Sequence, residues 1–428
     1  MTPLVTTLLL FGTLLLLLFF GAPLLVAIGL PTAVVMLLSG MNVAAFAQRM
    51  FVAVDSFTMM AIPFFMLAGK LMEVGGMSRR IVRFADCLVG WMTGGLAHVI
   101  VVASAFFGAL SGSAAATCAA IGSTLIPDMK RKGYPADFVA GLQAVAGGLG
   151  VIIPPSITMI MYGVCSGTSI GKLFVAGIIP GIFLALCLML TVRVEAGKRR
   201  IKQTSTFSGK ELLKSFLDAI PALMVPIIIL GGIYGGFFSP TEAGAVACVY
   251  GFLVGVFWYK EVNRDNIGAI LGGALVNTVM VLIIVSASGA FSWLLTSNGV
   301  ASLLGRAIGS VATNRFLFLL FSNLIFLLIG CFIESVAGIL IVTPILLPQA
   351  LALGIDPVHY GVIMVVNLAL GLTTPPVGEN QYIAAAIADI PFEQEFKASL
   401  PFLLTNFIAL MVITYVPQLS LWLPGVLS

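Results

Sequence analysis

The sequence predicts an all-α, polytopic membrane protein built as an inverted repeat of about ten spans plus two re-entrant hairpins. Three observations predict it. The chain is 60% hydrophobic and only 9% charged over 428 residues, with a mean hydropathy of +1.14, more apolar surface than a water-soluble core of this length could bury. A diproline occurs twice, at Pro154-Pro155 and Pro375-Pro376, 221 positions apart, each in an apolar run behind a glycine-rich stretch. The third observation is that basic residues follow one copy of a repeated motif and are missing from the other.

The repeat extends beyond the prolines. Pro127 to Pro154 and Pro348 to Pro375 are both 27 residues, and Gly133/Gly354 and Gly150/Gly371 keep the same register. Basic clusters lie at Arg79-Arg80-Arg83, Lys130-Arg131-Lys132, Lys198-Arg199-Arg200-Lys202 with Lys210 and Lys214, and Lys260 with Arg264. The positive-inside rule puts these loops in the cytoplasm.

Walking outward from those anchors gives an external N-terminus and spans near 4–27, 30–48 and 56–74. Met1 to Phe20 lacks the basic leader and small-residue cleavage site of a signal peptide, so it reads as the first span. A first hairpin follows near 93–127, because Leu110-Ser111-Gly112-Ser113-Ala114 would be a costly lipid-facing turn between two basic ends. A span broken at Pro154-Pro155, near 136–166, and a return span near 171–192 complete a first repeat over 1–192. Residues 193–216 form a polar cytoplasmic linker.

The second repeat, 217–428, has spans near 217–238, 240–258 and 266–297, a hairpin near 315–349, a broken span near 357–390 and a last span near 398–420. Pro127 is followed by Asp128-Met129-Lys130-Arg131-Lys132, whereas Pro348 is followed by Gln349-Ala350-Leu351-Ala352-Leu353, so matching loops fall on opposite sides. On this assignment 17 of the 21 Lys and Arg are cytoplasmic, leaving Arg49, Lys172, Arg306 and Arg315 outside. Inverted repeats of this kind are the construction of many secondary transporters.

Several function classes are disfavoured. Six singly scattered cysteines and two isolated histidines, His98 and His359, make no transition-metal ligand set, and no buried Ser-His pair suggests an enzyme. The net charge of +4 is topological and implies no nucleic acid. Gly167 to Lys172 departs from a phosphate loop, since Leu173 stands where Ser or Thr is required. Ser239-Pro240-Thr241-Glu242 reads as a cap that opens a helix. Hairpins meeting at broken helices give a closed site rather than a channel's continuous filter.

Successive prolines free backbone carbonyls, and such backbone persists at membrane depth only if buried or bound. The chemistry therefore belongs at the two breaks. In the first lobe, Ser111, Gly112, Ser113 and Thr117 of the hairpin face Gly150, Val151, Pro154, Pro155 and Ser156, an oxygen set suited to sodium. In the second lobe, Glu334 and Ser335 lie near the hairpin tip, and Thr373, Thr374, Pro375, Gly378, Glu379 and Asn380 mark the break. Glu334 is read either as a cation or proton ligand or as a helix cap, and the amide of Asn380 as a solute contact that can both donate and accept. With no arginine aimed at the site, an anion would rest on helix N-termini, amides and hydroxyls.

At these stretches the sequence resembles the large membrane subunit of the tripartite ATP-independent periplasmic transporters, within the ion transporter superfamily. The resemblance rests on Phe107-Gly108-Ala109-Leu110-Ser111-Gly112-Ser113, Ile126-Pro127-Asp128-Met129 with Gly133-Tyr134-Pro135, Gly150-Val151-Ile152-Ile153-Pro154-Pro155-Ser156-Ile157 and Leu372-Thr373-Thr374-Pro375-Pro376-Val377-Gly378. It implies an elevator-type mechanism in a bacterial inner membrane, with no cofactor and sodium as coupling ion. Its implied partners are the lipid bilayer, a small four-span membrane subunit, a periplasmic binding protein and a small organic acid such as a C4-dicarboxylate or sialic acid. Carried over by position, the first sodium site falls on Ser111 and Ser113 with backbone near Gly150 to Pro154. The second falls near Gly338 with Thr373 and Thr374. Thr117, Ser156, Glu334, Ser335, Gly378 and Asn380 are the expected solute contacts. Glu334-Ser335 departs from the Glu-Pro pair expected at that hairpin. The rival reading is a stand-alone sodium/dicarboxylate symporter that needs no binding protein.

Overall fold

A computed structural model describes residues 2–201, 206–311 and 314–427, so Lys202 of the linker cluster lies outside the described residues. The described residues are helices joined by short turns and contain no strand.

The first hundred residues differ most from the expected spans. Over the stretch 4–48 the helix ends differ from the expected 4–27 and 30–48. The stretch folds as Pro3–Phe19 and Leu24–Leu38, followed by Val43–Val54. The breaks have local causes: Gly21 and Gly40 both turn the chain at positive φ, near +73° and +71°, and Asn42 caps the third helix by accepting the Ala44 N–H at 2.9 Å.

Among the described residues, seven helices are long and apolar enough to cross a bilayer: Phe57–Val74, Ile170–Lys198, Gly209–Tyr234, Pro240–Trp258, Ile267–Ser297, Ser335–Ala352 and Phe392–Tyr415. An eighth candidate is the pair Ala136–Ile152 and Ile157–Ser166, bent by 43°. The helices Ile170–Lys198 and Gly209–Tyr234 run well into the expected linker from both sides.

The basic stretch after Val74 is itself a helix, Met77–Val89. It buries Met77, Ile81, Phe84 and Ala85 and turns Arg79 and Arg83 outward. Arg80 stacks on the Tyr259 ring at 3.6 Å and pairs with Glu261 at 2.9 Å and Asp218 at 3.6 Å. Ser239 and Glu242 form the predicted capping box, the Ser239 N–H donating to Glu242 Oε2 at 2.7 Å.

The chain forms two helical hairpins. The first joins Gly95–Ser111 to Ala114–Arg131 through Gly112 and Ser113; the second joins Arg315–Gly330 to Ser335–Ala352 through residues 331–334. The runs that follow are interrupted at the diprolines, giving Leu149–Ile152 then Ile157–Ser166, and Pro357–Gly371 then Glu379–Ala388. Both Pro-Pro bonds are cis.

The two halves interlock. Ile157–Ser166 packs on the second hairpin's arm Ser335–Ala352, and Glu379–Ala388 packs on the first hairpin's arm Ala114–Arg131. Hydrogen bonds tie the exchange: the Tyr162 hydroxyl donates to the Pro357 carbonyl at 2.7 Å, and Asn380 Nδ2 to the Ala144 carbonyl at 3.1 Å.

Candidate functional site

In the first lobe the hairpin tip sits on the broken backbone. Gly112 ends Gly95–Ser111 at φ +62°, and its carbonyl accepts the Ile157 N–H at 3.4 Å. A Cβ on Gly108 would lie 2.8 Å from the Cα of Gly150, and one on Gly112 would lie 2.9 Å from the Pro155 carbonyl. Glycine at these positions is what lets backbone approach backbone.

The expected first-lobe residues are brought together. Ser111 Oγ lies 2.9 Å from Thr117 Oγ1 and 3.3 Å from the Ser113 carbonyl. Ser113 caps Ala114–Arg131, its hydroxyl accepting the Ala116 N–H at 3.3 Å. Gly150 leaves no room for a side chain against the Ser113 carbonyl and Thr117. Ser156 is differently engaged from its expected part as a solute contact: it is buried, donates to the Val151 carbonyl at 2.6 Å and caps Ile157–Ser166. Pro154 and Pro155 are buried beneath these groups.

The second lobe repeats the arrangement. The Val377 N–H donates to the Cys331 carbonyl of the hairpin tip at 3.1 Å. A Cβ on Gly330 would lie 3.0 Å from the Cα of Gly371. Thr373 and Thr374 both turn their hydroxyl protons to the Leu370 carbonyl at 2.8 Å, which leaves their oxygens as acceptors. Glu334 is a helix cap, its Oε2 accepting the Val336 N–H at 2.8 Å. Ser335 is buried with its hydroxyl unpartnered among the described residues.

The other second-lobe residues are placed as follows by the fold. Gly338 lies a turn inside Ser335–Ala352, where a Cβ would meet Leu368 at 3.0 Å, so its absent side chain makes packing room. Asn380 is fully buried, its Nδ2 donates to the Ala144 carbonyl, and its Oδ1 has no hydrogen-bond partner among the described residues. Gly378, at φ +50°, makes the turn that opens Glu379–Ala388. The second break is also the more open one, with Pro376 and Val377 exposed while Pro154 and Pro155 are buried.

Away from the breaks, Thr58, the segment 163–172 and residues 233–240 surround a cleft of about 640 Å³ that includes Lys172. All three segments are ones the basic-residue count assigns outside.

This geometry, two hairpins on two diproline breaks, coincides with a family match over nearly the whole chain. Residues 11–419 match the tripartite ATP-independent periplasmic transporter, DctM component. The chain belongs to this family. A C4-dicarboxylate TRAP transporter large permease protein of Pseudomonas aeruginosa is similar, 41% identical over 93% of this chain and 94% of that protein. So is a sialic acid TRAP transporter large permease protein of Vibrio cholerae, 39% identical over 90% of each. The YdaH transporter of Alcanivorax borkumensis shares the fold, with a TM-score of 0.59, 16% identity and 88% of each chain covered.

As a DctM-family chain it is a multi-pass protein of the bacterial inner membrane and a transport protein, not an enzyme. Among the described residues no cluster of three His, Cys, Asp or Glu forms. His359 Nε2 meets the Thr414 carbonyl at 3.2 Å, while its Nδ1 and both ring nitrogens of His98 are buried without a hydrogen-bond partner among the described residues. Sequence reasoning missed the paired glycine contacts in this DctM fold, although Gly150 and Gly371 kept repeat register. It also passed over Gln143, Gln381 and Glu395, which no motif marks.

Proposed function

We propose that this DctM-family protein carries out sodium-coupled uptake of a small carboxylate-bearing solute, a C4-dicarboxylate, sialic acid or related acid. A periplasmic binding protein delivers the solute, and a small four-span membrane subunit completes the transporter. The supporting observation is the repeated seating of a hairpin tip on backbone freed by a diproline, once in each half. Freed carbonyls and hydroxyl oxygens from Ser111, Ser113, Thr373 and Thr374 form hard, neutral ligand sets of the kind that hold sodium. The hairpin helices, one opened by Ser113 and the other by Glu334, offer N–H groups to a carboxylate alongside Ser335 and Thr117.

In this reading the halves lie inverted in the membrane. The interlocked hairpins and breaks move as one body against the scaffold, an elevator motion. The relatives named for dicarboxylate and sialic acid supply the solute class.

The test is uptake of radiolabelled organic acids into proteoliposomes holding this chain and its small subunit, with and without the binding protein, under an inward sodium gradient. Uptake that needs both sodium and the binding protein is the expected outcome. Sodium-driven uptake without the binding protein would replace this reading with a stand-alone symporter, and uptake indifferent to sodium would remove the coupling sites.

A further inference from the structure

One carboxylate in the helical core has no counterpart for its charge. Glu395, in the first turn of Phe392–Tyr415, is fully buried, and neither of its oxygens has a hydrogen-bond partner among the described residues. It enters no ion pair among them. A carboxyl buried without a partner is satisfied either by holding a proton or by a bound cation.

The neighbouring amides are also short of a partner. Gln381 donates from Nε2 to the Thr373 carbonyl at 2.6 Å and to Ser399 Oγ at 3.1 Å, and its Oε1 is buried and unpartnered. Gln143 donates from Nε2 to the Cys118 carbonyl at 3.3 Å, and its Oε1 is likewise unpartnered. A carbonyl partner accepts only from an amide nitrogen, so each bond fixes which end of the side chain is the oxygen. The orphaned atoms are therefore all acceptors.

Several contacts place these groups in one region. The helices Ala136–Gly147, Glu379–Ala388 and Phe392–Tyr415, which carry Gln143, Gln381 and Glu395, pack on one another. Ser399, which Gln381 touches, is one turn beyond Glu395 on the same helix. Cys118 accepts from Gln143 through its carbonyl and donates from Sγ to the Asn380 carbonyl at 3.4 Å.

We infer that Glu395, Gln381 and Gln143 form a site for a small monovalent cation, separate from the two hairpin-and-break sites. The ligand chemistry sets the charge. One carboxylate with neutral amide oxygens balances one positive charge, whereas a divalent ion would leave the buried site with an excess, and all-oxygen ligands suit a hard ion. The same Gln381 nitrogen holds the Thr373 carbonyl, so filling the site would also brace the second break.

Binding tests this without transport, so it stands apart from the proposed sodium coupling. Equilibrium binding of ²²Na⁺ is counted on the purified complex of this chain with its small subunit. Glu395→Gln keeps the shape and removes the charge, and it is expected to bind one sodium ion fewer per chain at saturation. Gln143→Leu retains the charge and is expected to weaken one site by about tenfold. Ser113→Ala and Thr374→Ala, which act on the other sites, should leave the ion lost in Glu395→Gln in place. An unchanged sodium count in Glu395→Gln overturns the site, and if that variant does not fold, an unchanged binding curve in Gln143→Leu does so.

Discussion

A side chain on Gly330 would put its first carbon 3.0 Å from the Cα of Gly371, and one on Gly108 would put its own 2.8 Å from the Cα of Gly150. The two approaches are the same contact made once in each half, hairpin arm against the helix that leads into a diproline. Because the opposing atoms are backbone, neither partner can swing aside. Gly108→Ala and Gly371→Ala are expected to cost about 1–3 kcal/mol each and to loosen the hairpin from its break. Thermal unfolding in detergent checks this against Gly209→Ala, where nothing lies within 4 Å of a new Cβ. Equal stability of all three variants would show that the contacts are not tight.

The hydroxyls at the breaks should govern the sodium response. Thr374→Ala removes an acceptor whose proton is already committed to Leu370. It is expected to raise the sodium concentration for half-maximal uptake severalfold while leaving stability within about 1 kcal/mol. Ser113→Ala should shift the same midpoint and also lose a cap worth about 1 kcal/mol. Comparing uptake midpoints with unfolding temperatures separates the two effects.

Arg80 joins three stretches of chain through Tyr259, Glu261 and Asp218. Arg80→Ala is expected to destabilise the scaffold by about 1–2 kcal/mol, and Arg80→Lys to recover little, because an ammonium neither stacks flat nor spans two carboxylates. Unfolding midpoints in low and high salt test it. The wild-type advantage should shrink as salt rises.

The proposed inverted arrangement makes a topological prediction. Lys172 is exposed on the cleft shared with Thr58 and Tyr234, whereas Lys132 pairs with Asp128 at 3.1 Å beside the other basic clusters. On a cysteine-free background, Lys172→Cys is expected to react with an impermeant maleimide added outside intact cells, and Lys132→Cys only after the membrane is opened. The opposite pattern would turn the molecule over.

Capping offers a small and local test. Ser239→Ala removes the acceptor for the Glu242 N–H at 3.3 Å and should cost about 1 kcal/mol. Ser239→Asp, which keeps a cap, should recover most of it.

Composition alone made this chain a membrane protein, because no water-soluble core could bury its apolar surface. The duplicated Pro-Pro, the Gly112 turn and the Ser239–Glu242 box were legible because each rests on a few adjacent residues whose backbone geometry is set locally. The helix ends over residues 3–54 were misplaced, since hydropathy averages across a glycine turn that the backbone obeys. Met77–Val89 was hidden for the reverse reason: its arginines mask an apolar face visible only at helical spacing.

Tertiary structure decided what no local rule carries. Only the packed halves bring Asn380 to Ala144 and Tyr162 to Pro357, more than 190 residues away in each case. Only packing seals Glu395 from solvent. Sequence order fixes which groups a helix presents, but whether a polar atom finds a partner depends on the neighbours that close over it, and those come from the opposite half of the chain.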